Sequence, residues 1–148
     1  LKKLASAFIA AFLTGCSSHS IVNQLPGVSP TPQVNMSELY LRGVFNWWEA
    51  TPAYQLSQGR EGWYVDIELI ADGQPYDFKV ANNVWTPAQT CGGNYQGQQV
   101  TVSDTASLIC GDEAQNLQFT PNTTGTYRFT FEKTGADELE LAVRLQNR

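Results

Sequence analysis

Strict alternation of apolar and polar residues limits what this chain can fold into. In the run from Trp63 to Leu69, Trp63, Val65, Ile67 and Leu69 fall on one side, and Tyr64, Asp66 and Glu68 on the other. Tyr127, Phe129 and Phe131 alternate with Thr126, Arg128, Thr130 and Glu132. Leu139, Leu141, Val143 and Leu145 alternate with Glu138, Glu140, Ala142 and Arg144. A period of two belongs to a β-strand with one buried and one wetted face. No window carries a convincing helical period. Asp72-Gly73 reads as a hairpin turn into a return strand over residues 75–81, and Asn82-Asn83 as the next turn. Residues 121–125 and 134–137 are further turn signals. About six to eight short strands at this spacing predict an all-β fold, a two-sheet sandwich of immunoglobulin-like type.

Residues 39–48, Leu-Tyr-Leu-Arg-Gly-Val-Phe-Asn-Trp-Trp, read as a strand running into an aromatic turn. Leu39, Leu41 and Phe45 share one face, and Tyr40, Arg42 and Val44 the other. The adjacent Trp47 and Trp48 cannot both point the same way. One enters the core while the other stands at the surface as a stacking platform, or both plug the core. A second aromatic stretch spans residues 76–85, Tyr-Asp-Phe-Lys-Val-Ala-Asn-Asn-Val-Trp. Alternation sends Phe78 inward, and Asp77 and Lys79 outward. The segment after Trp85, residues 86–99, is rich in Gly, Gln and Asn and reads as irregular.

The N-terminus carries an export pattern. Lys2 and Lys3 precede a short apolar run, Leu4 to Leu13, too short to cross a bilayer as a helix. Leu13-Thr14-Gly15-Cys16 resembles a bacterial lipobox, in which the thiol takes a diacylglyceryl group and the peptide is cut before the cysteine. The organisation expected is a lipoprotein signal peptide over residues 1–15, a lipidated flexible tether over 16–37, and one folded domain over 38–148. Ser17, with no Asp in its place, resembles the sorting signal of an outer-membrane lipoprotein. The membrane would then be met through lipid at Cys16, each buried methylene contributing about 0.8 kcal/mol.

The net charge is −5, and loss of Lys2 and Lys3 makes the mature chain more acidic. That argues against nucleic acid or an anionic lipid surface as a partner. With Cys16 spent on lipid, Cys91 and Cys110 remain. In an oxidising compartment a disulfide between them is the default, with two buried free thiols the alternative. A metal site needs more ligands than are left, and no cofactor is implied. The sole histidine, His19, falls in the tether, so no Ser/His/Asp or Cys/His set can be assembled. Asp66 and Glu68 share a solvated strand face rather than converging in a cleft, as a glycosidase pair must.

Taken together, residues 39–48 and 76–85 resemble the glycogen- and starch-binding modules of carbohydrate-binding module family 48, found in branching and debranching enzymes and in the β subunit of AMP-activated kinase. Gly43, Phe45, Asn46 and Trp48 match its first motif, and Phe78, Lys79 and Trp85 its second. The run from Asn116 to Phe131 is similar to modules attached to bacterial pullulanases. The resemblance covers about residues 38–145 and implies an early-set immunoglobulin-like sandwich. It implies that Trp48, Trp85 and Lys79 contact an α-glucan; apart from the resemblance, Asn82 and Asn83 in the intervening turn are expected to add donors and acceptors. The segment over residues 86–110 either covers that site or extends it. The reading that follows is a non-catalytic outer-membrane lipoprotein that binds α-glucan by tryptophan stacking. The alternative is an envelope lipoprotein that uses the same sandwich to hold a protein partner, since this fold hosts many functions.

Overall fold

The computed structural model describes residues 33–147. The stretch expected to be a signal peptide, Cys16, His19 and most of the expected tether lie outside these residues. The described chain forms ten strands: β1 (Tyr40–Gly43), β2 (Ser57–Gln58), β3 (Trp63–Leu69), β4 (Tyr76–Ala81), β5 (Thr90–Gly92), β6 (Gln98–Val100), β7 (Ala106–Cys110), β8 (Leu117–Phe119), β9 (Gly125–Lys133) and β10 (Glu138–Leu145). Among the described residues the only helical pieces are short 3-10 turns.

The strands run β2-β3-β9-β10-β7-β5-β4-β8-β6, with β1 on the other edge of β4. One layer is β2-β3-β9-β10-β7. The other is β1-β4-β8-β6, and β5 stitches the two together by pairing with both β7 and β4. The alternating residues close the gap between the layers. Phe78 and Val80 of β4 and Leu117 of β8 are fully buried, as are Phe129 and Phe131 of β9 and Leu139 and Leu141 of β10. The Phe78 and Phe129 rings meet edge to face across the core, centroids 5.3 Å apart, and Phe119 meets Phe129 at 5.8 Å. Such pairs add to the apolar burial that drives a sandwich together. At the start of β9 the Tyr127 hydroxyl donates to the Thr123 carbonyl at 2.6 Å. This is the tyrosine corner of immunoglobulin-like sandwiches, so the expected all-β class and sandwich hold on the molecule's own geometry.

Three local expectations differ. The Asp72-Gly73 turn forms, with Gly73 at φ 82°, but it does not close a hairpin. β3 pairs with β2 and β9, whereas β4 pairs with β1, β5 and β8, so the turn crosses from one layer to the other. A two-residue turn signal specifies the reversal, not the partner. The packed chain also starts before residue 38. Val34 and Met36 are buried, and the Gln89 side chain binds the Asn35 N–H and the Gln33 carbonyl. Residues 86–99 are not irregular throughout. They hold β5, whose three residues are all buried, and the start of β6.

The expected disulfide is present. Cys91 and Cys110 are opposite one another on β5 and β7, with Cα atoms 4.0 Å apart. It therefore lies at the stitch between the layers. Closing a ring of this size removes unfolded-state entropy worth about 3 kcal/mol.

Candidate functional site

The site begins with a close approach. A Cβ on Gly43 would stand 2.6 Å from the Asp77 carbonyl and 2.8 Å from the Phe78 Cβ, so only glycine lets β1 lie this tightly on β4. Directly after Gly43 the chain turns through Val44–Asn46. Asn46 is buried and spends its whole amide on that turn. Its Oδ1 accepts from the Gly43 N–H at 2.9 Å, and its Nδ2 donates to the Leu41 carbonyl at 2.9 Å and the Glu49 carbonyl at 3.1 Å. A side chain that satisfies three backbone groups fixes the direction in which the next residues leave.

Those next residues are Trp47 and Trp48, both left-handed at φ 55° and 61°. Trp85, after the turn that ends β4, is left-handed at φ 59°. Among the described residues these are the non-glycine positions with positive φ, and all three are tryptophan. A bulky residue in this region costs of order 1–3 kcal/mol, and such strain gathers at functional sites. Trp48 and Trp85 come together, ring centroids 6.4 Å apart and planes tilted by 41°. Trp48 is partly exposed and Trp85 is 37% exposed. With Lys79 and Asn116 they line one open depression of about 340 Å³.

The polar groups of this depression are unspent. Neither the Lys79 ammonium nor the Asn116 amide has a hydrogen-bond partner among the described residues. Burial pushes the Lys79 ammonium below its ordinary value of 10.5. Its stem runs over β5, where a Cβ on Gly92 would come within 3.3 Å of it and would collide with the Gln115 carbonyl.

Beneath the rings lies Arg42, which sequence alternation alone assigns to solvent. It is 6% exposed. Its Nε donates to the Trp48 carbonyl at 2.6 Å, and its Nη1 to the Asn82 and Asn83 carbonyls at 2.8 and 3.2 Å. Its guanidinium carbon sits 3.9 Å from the centroid of the Trp85 ring. Burial lowers the pKa of this guanidinium from the ordinary arginine range, and Glu49 opposes that shift. One side chain thus ties together the two turns that carry the two rings.

Of the residues expected at the site, Trp48, Lys79 and Trp85 are brought together. Asn82 does not line the depression, which corrects that expectation. It is buried, its Oδ1 accepts from the Thr86 N–H at 2.9 Å, and its Nδ2 reaches the Thr86 hydroxyl at 2.8 Å. It shapes the turn before Trp85, as asparagine commonly does. Asn83 is exposed but lies outside the depression, and its carbonyl serves Arg42. Arg42 and Asn116 belong to the site as well, although no local sequence pattern marks them. The register would have given Asn116: Phe78 opposes Leu117, so Lys79 and Asn116 are the next pair across β4 and β8. Residues 86–110 leave the depression open rather than covering it. Asp66, on the other layer, is held by Arg128 in a two-pronged pair at 2.7 and 2.8 Å.

No family model and no curated protein matches this chain. A solved structure described as "Ligand induced structure of AmyP-SBD" is similar to it at 17% identity, over 96% of this chain and 94% of that one, with a TM-score of 0.47. Neither the fold nor the site described above rests on that likeness.

Proposed function

We propose that the depression formed by Trp48, Trp85, Lys79 and Asn116 binds an α-glucan, and that the protein is non-catalytic. The observation that carries the reading is the tilted, partly exposed Trp48–Trp85 pair sharing one depression with two unspent polar side chains. Two indoles inclined at 41° suit two successive rings of a curved polymer better than two rings in one plane. The flat faces take apolar sugar faces, while the ammonium and the amide bond to hydroxyls between them. Arg42 and Asn46 hold the rings before ligand arrives, which lowers the ordering cost of binding. Such an open, wetted site binds in the range of about micromolar to millimolar.

The same reading extends to the chain's place in the cell: lipid at Cys16 anchors the domain to a bacterial outer membrane. Cys16→Ser should leave the protein unprocessed or released. Cys16→Ser protein that stays with the outer-membrane fraction as tightly as wild type counts against the anchor. A protein-docking role draws on one observation, the exposure of Trp47 at 88% and Val84 at 69% beside the site. Retention of the soluble domain on insoluble starch, but not on cellulose, separates the two. Retention on both or on neither argues against an α-glucan site.

A further inference from the structure

The depression has an open side. Across the outer face of the sheet, Arg42 of β1 opposes Lys79 of β4, and Lys79 is followed by Asn116, the residue just before β8. The next residue in that row is Gly97, whose N–H donates to the Asn116 carbonyl at 2.9 Å. Gly97 ends a tight turn that begins at Gly93 and carries Tyr95. The row therefore leads from the tryptophans, past the two polar groups, to this turn. From Lys79 to Gly97 is two sheet spacings, about 10 Å, the length of roughly two pyranose rings.

Tyr95 is 62% exposed, and its phenol has neither a ring nor a hydrogen-bond partner among the described residues. Its turn, by contrast, is firmly held. Gly93 and Gln115 exchange two backbone hydrogen bonds at 2.7 and 2.9 Å. The Asn94 N–H donates to Gln98 Oε1 at 2.8 Å, and both Asn94 Nδ2 and Gln98 Nε2 reach the Ser107 carbonyl, at 2.9 and 3.0 Å. The disulfide fixes β5, from which the turn departs. An aromatic ring with no intramolecular duty, on a braced turn one position beyond a polar ligand-facing row, suits an outer stacking position.

We infer that Tyr95 forms an additional sugar-binding position beyond Asn116, so that the site favours longer α-glucan chains over short oligosaccharides. The inference rests on the α-glucan reading and deepens it. The segment after Trp85 extends the site, and the Cys91–Cys110 bond braces the extension.

The test is titration of the soluble domain with maltotriose and with maltoheptaose, for wild type, Tyr95→Ala, Tyr95→Phe and Trp85→Ala, each checked by thermal melting. Tyr95→Ala should melt like wild type and bind maltotriose unchanged. It should bind maltoheptaose about fivefold or more weakly, the low end for truncating a stacked aromatic. Tyr95→Phe should restore most of the loss, because stacking needs the ring and not the hydroxyl. Trp85→Ala should weaken both sugars. If Tyr95→Ala binds maltoheptaose like wild type while Trp85→Ala does not, the extension is overturned and the α-glucan site stands. Equal loss for both sugars in Tyr95→Ala also overturns it. If wild type binds neither sugar, both readings fall.

Discussion

The Arg42 guanidinium lies 3.9 Å from the centre of the Trp85 ring and at the same time donates to the Trp48 carbonyl at 2.6 Å. One cation thus sets the spacing of two rings that come from separate turns. Lysine cannot replace it, because an ammonium lacks the planar fork that reaches three carbonyls while stacking on an indole. Arg42→Lys should lower stability by about 1–3 kcal/mol through carbonyls left unsatisfied. It should weaken glucan binding as well, although Arg42 lies beneath the rings and not in the depression. Urea melts alongside calorimetric titration check this. Unchanged affinity in a folded Arg42→Lys protein would show that the rings hold their spacing without it.

Lys79 gives the site a pH signature. Burial lowers its folded-state pKa below 10.5. Between that lowered value and the unfolded value the unfolded chain binds more protons, so this residue's contribution to stability rises with pH across that window. Binding moves the opposite way, because deprotonation removes a charged donor from the depression. Glucan affinity should therefore decline at alkaline pH, starting below 10.5, while Lys79→Arg keeps its affinity over the same range. A wild-type profile identical to that of Lys79→Arg would exclude the ammonium from the contact.

Trp47 should be a cost to the fold. It is held at φ 55° and is 88% exposed, so its ring returns little burial for the strain. Trp47→Gly relieves a left-handed conformation worth about 1–2 kcal/mol, offset by about 0.5–1 kcal/mol of glycine's unfolded-state freedom. The variant should be as stable as wild type or slightly more so in chemical denaturation. A loss above about 1 kcal/mol would mean that the indole packs against the domain in solution.

Local rules carried the reading of the sequence as far as local physics reaches. Alternation placed Phe78 in the core and Lys79 on the outer face, because both follow from the pleat of one strand. The turn after β4 was also legible, but not the use of its residues: Asn82 looks like a ligand donor until its bonds to Thr86 are seen. Arg42 was illegible, since its burial is created by Trp85 and three carbonyls that arrive from distant positions. Asn116 depends on which strand lies beside β4, and the same gap turned Asp72-Gly73 into an expected hairpin. Short strands such as β5 and β6 carry too few residues to show a period.

The central claim is that Trp48 and Trp85 are a binding surface rather than part of the core. Affinity electrophoresis in gels with and without amylopectin, run beside melting curves, tests it on wild type, Trp48→Ala, Trp85→Ala and Phe78→Ala. The wild-type domain should be retarded by the polymer. Each tryptophan variant should stay folded and lose about 1–3 kcal/mol of binding. Phe78→Ala should instead lose about 3–5 kcal/mol of stability as a core cavity. Tryptophan variants that unfold, or that are retarded as strongly as wild type, would contradict the account.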